Sequence, residues 1–526
     1  MNNEKGFSLI TVLILSAVVF VLGSAAVYVS QYGYILVSSD VKYKTAEKRA
    51  DYGIMKVFND MNNQQLNCGD SKNYADGVVV YTVKAGSSCF IKSVGTFAGA
   101  TVSKIAVIST QSTSTKYATV VMCNLSNMKL DGSSSIESCE SSCITPALIT
   151  GNDYTNRLNN ISLNNTCKNN NGGLTAYNMD PYKYDPNLCQ QSLLSTYFNG
   201  LPDRNALFNK MTQLYGVAFD NGKPTGLTTN GASLTLTDQT NPSNLQNNTY
   251  DLCNFGQNIN LETVTGSGNT LTASSCYNIS GVNIQVKPTF TWDGSKYKVN
   301  FVNCNNNSNL STIYCKNVDL GQNTTLNLGS NFSGGGALAA NEVNFTGDVS
   351  PSSSLTLVAR NNANMTTNKV NVSNVNIFAQ NYNISANNLT VENSLIFGGG
   401  GGQNININLD SNSKLGTPDN PVLIISDNNI NIQRNGNAEI NGIVYATSNN
   451  NNLNIGSGNG NFNINGMLVS EGQNNNINIS GNFTISFDPI VITNVANKFN
   501  NLLKPPTCGT VTNLRYSDII TKQTLY

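Results

Sequence analysis

The sequence contains no histidine, has a single tryptophan and carries few charged side chains for its 526 residues. The missing histidines remove the commonest general base and the commonest metal ligand. Lys plus Arg and Asp plus Glu number 30 each, so the net charge is zero, whereas proteins that hold nucleic acid usually have a basic excess. No cluster of acidic residues stands out. We therefore predict no enzyme activity, no cofactor and no nucleic-acid partner, and we assign no metal ligands; a calcium site with unassigned ligands is the alternative.

The 12 cysteines all follow the first apolar stretch of the chain. An even number of cysteines in an oxidising compartment predicts disulfides. The only tightly spaced pair is Cys139 and Cys143, which without a histidine or a second such pair is a poor zinc site. The bonds that nearness in sequence predicts are Cys68 with Cys89, Cys253 with Cys276, and Cys304 with Cys315.

The amino terminus is rich in apolar residues, and no residue from Gly6 to Ser39 is charged. A membrane-spanning helix needs about 20 apolar residues, which residues 7–28 supply. A stripe at helical spacing continues it: Tyr43, Ala46, Ala50, Ile54, Val57 and Met61. The pattern predicts one helical rod over residues 7–65. A removed signal peptide is the alternative, but the leader is weakly basic and the helix does not stop.

Gly6 and Phe7, followed by Ser-Leu-Ile and an apolar helix, resemble the class III leader of type IV pilins and type II secretion pseudopilins. The resemblance implies that residues 1–6 are a leader peptide, that a prepilin peptidase cuts between Gly6 and Phe7, and that Phe7 is N-methylated. It implies a single-pass inner-membrane precursor, which an assembly platform inserts into a filament against other pilins. The chain would then be extracellular, at the pilus tip or cell surface. A generic single-span anchor is the alternative.

Thr11 stands at the fifth residue after the implied cut, where most members of this family have glutamate. A buried charge is costly unless it is paired, so the first subunit of a filament, which has no predecessor, can lack it. The substitution resembles K-type minor pseudopilins and X-type minor pilins, which are associated with the filament tip. The large size of the chain favours the same place. The alternative is a tolerated polar residue in a minor subunit anywhere in the filament.

Residues 66–123 contain β-rich runs at 77–83, 89–95, 104–109 and 117–122. An antiparallel sheet packed on the helix would complete an α+β pilin-like module, as the resemblance implies. We interpret residues 124–325 as an inserted, disulfide-rich α+β region. It contains a helix capped by Asp203 and ended by Gly216, a second helix at 190–198, and a hairpin that turns at Asp293 and Gly294.

Residues 326–490 repeat short apolar runs about every 20 residues, a period typical of a solenoid. The repeat aligns Val358, Phe378, Phe397, Ile425, Tyr445 and Val469. Alternating stretches such as 404–409 predict strands with isoleucine inside and asparagine outside. We predict a mainly-β, right-handed parallel β-helix, followed by a cap or tail at 491–526. The asparagines suit amide ladders and left-handed turns; codon bias or a disordered low-complexity tract is the alternative.

Three functions agree with this organisation. The first is a minor pilin at or near the tip of a type IV pilus, which initiates assembly and presents an extracellular head for adhesion to a glycan or a surface. The second is a minor pseudopilin of a type II secretion system. The third is a membrane-anchored carbohydrate-active enzyme, because some β-helices are lyases or hydrolases; the charges in 355–490 are few and scattered, which argues against it.

Overall fold

The computed structural model describes residues 4–515 except 63–65, 67–68, 76, 86–87, 114–116, 132–133, 138–142, 145, 156–162, 165, 169–173, 177–181, 237–240, 257, 266–267, 279–283, 330, 401–403, 448–451, 457–459, 480–481 and 505–508. The chain forms two compact units. The first is Met1–Thr113 with Gly509–Tyr526, and the second is Ser114–Cys508. The boundary predicted at residues 325 and 326 therefore does not separate two compact units.

The first unit is a long helix on an antiparallel sheet. Helix α1 spans Glu4–Asn62. Numbered along the chain, the strands are β1 (Ser71–Tyr74), β2 (Val78–Ala85), β3 (Ser88–Phe97), β4 (Ala100–Thr113) and β40 (Gly509–Arg515), and they pair antiparallel in that order. Three predicted strands of the module are therefore present. The fourth, at 117–122, was wrongly assigned to this sheet, because Val120–Met122 is a strand of the second unit.

The predicted helical stripe is the face of α1 that meets the sheet. Ala46, Ala50, Ile54 and Val57 are at most 1% exposed, and Ile54 and Val57 pack with apolar residues of β2, β3 and β4. The side chain of Met61 lies outside the described residues. The approach is close: a Cβ on Gly95 would lie 2.2 Å from the carbonyl oxygen of Ala46. Glycine at this point is what lets the helix backbone reach the sheet.

The second unit is an insertion between two paired strands of the first. Thr113, the last residue of β4, pairs with Gly509, the first residue of β40. Part of the segment predicted as a cap or tail at 491–526, residues 509–515, therefore forms a strand of the first unit's sheet.

The second unit is mostly β, with three α-helices among its described residues. The helices are α2 (Leu194–Tyr197), α3 (Arg204–Tyr215) and α4 (Pro489–Lys498), and Pro242–Asn244 forms a 3-10 turn. The strands up to residue 319 are β5 (Val120–Met122), β6 (Leu125–Leu130), β7 (Ser135–Glu137), β8 (Cys143–Ile144), β9 (Leu148–Thr150), β10 (Leu163–Asn164), β11 (Thr166–Lys168), β12 (Leu174–Ala176), β13 (Tyr182–Tyr184), β14 (Val217–Asp220), β15 (Lys223–Leu227), β16 (Ser233–Thr235), β17 (Thr249–Asn254), β18 (Leu261–Thr263), β19 (Thr270–Ala273), β20 (Tyr277–Asn278), β21 (Gln285–Trp292), β22 (Tyr297–Asn303) and β23 (Asn309–Asp319). The later strands are β24 (Thr325–Leu328), β25 (Gly336–Phe345), β26 (Leu355–Met365), β27 (Asn371–Ser373), β28 (Val375–Ala386), β29 (Thr390–Glu392), β30 (Leu395–Gly398), β31 (Asn404–Leu409), β32 (Ser413–Leu415), β33 (Val422–Ser426), β34 (Asn429–Arg434), β35 (Ala438–Ala446), β36 (Leu453–Ile455), β37 (Asn461–Ser470), β38 (Asn475–Ile479) and β39 (Asn482–Ser486).

Parallel pairing arranges most of these strands in three ladders. Ladder 1 runs β16, β17, β23, β25, β26, β28, β30, β33, β35, β37, β5, β9, β13. Ladder 2 runs β18, β24, β25, β26, β28, β31, β34, β36, β38, β6. Ladder 3 runs β27, β29, β32, β35, β37, β39, β7, β10. The chain visits the ladders in the order 3, 1, 2 on each turn from β27 to β39.

The ladders join distant parts of the sequence. Strands β5, β6 and β7 stack directly on β37, β38 and β39, so the start of the unit continues the end of the repeats. Residues 124–325, predicted as a separate region, thus contribute strands to the same ladders as 326–490. Between β13 and β16 the chain instead forms α2, α3 and the antiparallel pair β14 and β15.

The six residues aligned by the sequence repeat are paired in register along ladder 1, from Val358 with Phe378 to Tyr445 with Val469. They belong to an outer apolar cluster that also includes residues of the three helices. Residues on the other side of the same strands, such as Leu357 and Ile377, belong to a separate inner cluster shared by the three ladders. The part of ladder 1 from β25 to β9 is therefore buried on both faces, which explains its unbroken apolar runs.

Local predictions within residues 190–303 fit the structure well. The side chain of Asp203 accepts a hydrogen bond from the Ala206 backbone N–H at 2.9 Å, and Gly216 ends α3 with φ of 68°. The second helix is shorter than predicted, at Leu194–Tyr197. The predicted hairpin is present, with Trp292 paired to Tyr297. Trp292 is a core residue that is 7% exposed.

Two of the predicted disulfides are wrong. Cys253 is bonded to Cys315, and Cys276 to Cys304. The reason is topological: Cys253 and Cys315 lie on β17 and β23, which are neighbours in ladder 1 although the hairpins between them separate them in sequence. A third bond joins Cys123 to Cys189. Cys89 is disulfide-bonded, but its predicted partner Cys68 lies outside the described residues, as do Cys139 and Cys508.

Candidate assembly helix and polar binding face

The amino-terminal half of α1 exposes a continuous apolar surface. Large apolar side chains are exposed from Ile10 to Val37, and Phe20 reaches 77%. Among the described residues, α1 is the one helix long and apolar enough to cross a membrane, with a mean hydropathy of 2.6 in its most apolar window. Apolar surface in water costs about 25 cal/mol per Å². This surface therefore requires lipid or other apolar helices around it.

The residues implied by the leader resemblance lie at the start of this helix. Gly6 and Phe7 belong to α1, but their side chains lie outside the described residues. Thr11 lies in the exposed part of the helix. Cleavage at Gly6, methylation of Phe7 and the role of Thr11 stay predictions.

Ion pairs hold the other half of α1 to its sheet. Lys104 on β4 contacts Glu47 at 3.1 Å and Asp51 at 2.9 Å. Burial lowers the pKa of Lys104, but hydrogen bonds to Asp51 and Glu47 outweigh it, so the net pKa is raised. Hydrogen bonds from Lys72 and Tyr74 lower the pKa of Asp60 near the end of the helix. These partners fix the helix on the sheet at both ends of the buried stripe.

The outer side of each ladder presents a different chemistry. The outer side of ladder 1 is covered, because residues of α2, α3 and α4 belong to the same apolar cluster as Phe378, Phe397 and Tyr445. The outer side of ladder 3 is partly exposed and carries charged side chains, of which Lys414 is exposed and the glutamates are half-buried. It carries Glu392, Lys414, Glu439 and Glu137.

The outer side of ladder 2 is lined by amides, and we call it the amide face. From β28 to β38 the described outward residues are Asn381, Asn383, Ser385, Asn404, Asn406, Asn408, Asn429, Asn431, Gln433, Asn454, Asn476 and Asn478. The isoleucines between them belong to the inner core. The outward asparagine and inward isoleucine predicted from the sequence are confirmed for these strands.

The central row of the amide face is a stack of asparagines in register. Its members are Asn327, Asn344, Asn364, Asn383, Asn406, Asn431, Asn454, Asn476 and Asn127. Side-chain amides donate along the stack at 2.8–3.0 Å, as from Asn454 to Asn431 and from Asn476 to Asn454. Other asparagines take left-handed backbone conformations at turns, including Asn374 and Asn393. Both structural roles predicted for asparagine are present.

Buried ionisable groups tie the segment between β13 and β16 to ladder 1. Arg360 donates two hydrogen bonds to Asp319, at 2.5 and 2.6 Å, and another to the Thr225 carbonyl. Arg204, the first residue of α3, is paired with Asp427. Burial raises the pKa of Asp427 although Arg204 opposes the shift. These acids are occupied by structural contacts.

Glu471 makes the corresponding contact for α2. Its carboxylate accepts hydrogen bonds from the Tyr445 hydroxyl at 2.5 Å and the Ser192 hydroxyl at 2.9 Å. Burial raises the pKa of Glu471 in spite of these bonds. Over the described ranges, no three or more Cys, Asp or Glu side chains are grouped so as to hold a metal ion. Sequence reasoning missed Glu471, since nothing in its local pattern marks it.

No protein-family model and no curated protein matches the sequence. Among solved structures, the chain aligns with the competence-associated pilin ComZ from Thermus thermophilus, over 90% of this chain and 97% of that chain, with 11% identity and a TM-score of 0.21.

Proposed function

We propose that this chain is a minor pilin-like subunit of a type IV pilus. The observation that carries the proposal is α1. It begins beside the Gly6-Phe7 leader pattern, exposes an apolar surface from Ile10 to Val37, and then packs a buried stripe on an antiparallel sheet. An apolar helix of this kind can be retained in a membrane and later packed among similar helices.

We propose that the subunit lies at or near the filament tip and initiates assembly. Thr11 in place of glutamate supports this, because a first subunit needs no charge to engage a predecessor. The size of the second unit, Ser114–Cys508, supports it as well, because such bulk is hard to fit between closely spaced neighbours along a shaft.

We propose that the second unit is a right-handed parallel β-helix that serves as an adhesive head. The three parallel ladders, visited in a constant order, support a continuous coil. Connections between parallel strands are right-handed in about 98% of cases. Continuous backbone ladders would make such a head stiff.

A deletion tests whether the first unit is enough for filament assembly and the second unit is needed for attachment. Because Thr113 pairs with Gly509, replacing 114–508 by an Asn-Gly turn should close β4 and β40 as a hairpin. We expect cells with this variant to keep their filaments and lose attachment to surfaces. Loss of protein export with attachment intact would favour a type II secretion pseudopilin instead.

Catalysis is not part of the proposal. A carbohydrate-active enzyme would degrade a polysaccharide and lose that activity when one or two acids are replaced. Incubating the full-length protein with polysaccharides and measuring new reducing ends tests this alternative, and we expect none to be released.

A further inference from the structure

We infer that the amide face binds a neutral, hydroxyl-rich glycan chain, seated over a notch at Gly456. The inference rests on the proposed function, in which the second unit is presented outside the cell. It names the binding surface and the chemistry of its ligand.

The notch is a gap in a row of side chains. Gly456 directly follows β36, and its backbone N–H donates to the Ile432 carbonyl at 2.8 Å. It therefore lies beside Gln433 of the neighbouring strand β34. Gln433 and Asn478 are exposed on either side of it. With Asn431, Asn454 and Asn476 they line a groove of about 250 Å³. The missing side chain makes room for a ligand at the level of the amides.

The amides around the notch are preorganised for hydrogen bonding. Asn454 donates to Asn431, and Asn476 donates to Asn454, at 2.9 and 3.0 Å. An amide has two N–H donors and an oxygen with two lone pairs, so Asn431 and Asn454, which each use one donor and one lone pair in the stack, retain a donor and an acceptor. Asn476 also donates to the Asn474 carbonyl at 2.9 Å and offers its oxygen only. Because the stack already fixes these side chains, a ligand bears little of the entropy cost of ordering them.

Charge selects the class of ligand. The described outward residues of ladder 2 from β28 to β38 are uncharged, and Glu342 and Lys129 lie on strands nearer its two ends. A polyanion would find no row of cations here, in contrast to surfaces that bind phosphate or sulfate. Hydroxyl groups, which both donate and accept, match an array of amides. A neutral polysaccharide is therefore favoured.

The described outward residues of this stretch also include no aromatic ring on which a sugar could stack. Each sugar would gain only hydrogen bonds, whose net contribution is about 1 kcal/mol. Repeated contacts along the stack would add through effective concentration. We therefore expect tight binding of long chains and weak binding of single sugars.

The test is a binding assay with full-length protein in detergent micelles on arrays of neutral and sulfated polysaccharides. Gly456→Arg should fill the notch without backbone strain, because a Cβ there comes no closer than 3.4 Å to Gln433. Thr484→Arg, on the outer side of ladder 3, is the matched control. Circular dichroism checks that both variants are folded.

We expect the parent protein and Thr484→Arg to bind neutral long-chain glycans, and Gly456→Arg to bind them at least tenfold more weakly. Binding only to sulfated glycans, binding to no neutral glycan, or equal loss in both variants would overturn the inference. Leader cleavage in the same preparations is read from intact mass. A correctly processed protein that binds no neutral glycan would refute this inference and leave the proposed function standing.

Discussion

At the residue scale, glycine makes a repeated bend possible between ladders 3 and 1. Gly442 in β35 pairs with Gly466 in β37. A Cβ on Gly442 would lie 2.1 Å from the Val422 carbonyl oxygen, and one on Gly466 would lie 1.9 Å from the Gly442 carbonyl oxygen. Successive turns of the chain approach here more closely than any side chain permits.

Gly442→Ala should therefore lower the free energy of unfolding by about 1–3 kcal/mol, the usual cost of overpacking. Urea denaturation followed by the fluorescence of Trp292 measures it, because this single tryptophan lies in the inner core of the second unit. Gly456→Ala is the control, since its Cβ meets only an ordinary contact at 3.4 Å. If the two variants had equal free energies of unfolding, the backbone around Gly442 would accommodate a side chain, and the prediction would be wrong.

Glu471 should make stability depend on pH. Burial raises its pKa in the folded protein, so the native state holds the proton more tightly than the unfolded chain. This contribution is fully present below the ordinary glutamate pKa of about 4.3 and is lost as pH rises through the folded pKa. Glu471→Gln removes it while keeping an acceptor for Tyr445 and Ser192.

We expect the stability of Glu471→Gln relative to the parent to increase from pH 4 to pH 8, by about 1.4 kcal/mol for each unit of the pKa shift. Urea denaturation at several pH values measures the difference. A constant difference, or one that falls as pH rises, would contradict the assignment.

At the element scale, local signals define helices and hairpins well. Asp203 and Gly216 mark both ends of α3 because capping depends only on neighbouring backbone groups. The same logic applies to α4, where Asp488 accepts hydrogen bonds from the first turn and Pro489 begins the helix. That helix was not predicted, because the segment after the repeats was assigned only to a cap or tail.

Asp203→Ala should destabilise the second unit by about 0.5–2 kcal/mol through loss of this cap. Asp203→Asn keeps the acceptor and should cost much less. Urea midpoints of the two variants compare them, and identical midpoints would mean that the cap does not stabilise α3.

At the scale of the whole molecule, the repeat predicted register but not connectivity. The spacing of Val358, Phe378 and Phe397 is enough to align them, because each turn must return an apolar side chain to the same place. No local pattern could show that β5 stacks on β37, since that pairing joins residues about 350 apart in sequence. The wrong disulfides Cys253–Cys276 and Cys304–Cys315 have the same cause.

The sequence predicted which residues form the amide face, but it did not predict which side of the ladders stays exposed. Alternation of asparagine and isoleucine at 404–409 predicted which side faces water. The described amides of this side stay exposed or half-buried, whereas ladder 1 is covered by α2 and α3, from the segment between β13 and β16, and by α4. Long-range packing therefore decides which side of the ladders stays exposed.

The central claim is that α1 is part of filament-forming machinery and is retained in the mature protein. Mass spectrometry of the protein purified from its native cells tests it most directly. We predict a mature chain that begins at Phe7 and carries one additional methyl group on its amino terminus. A mature chain that begins beyond residue 22 would have lost the apolar helix and would contradict the account.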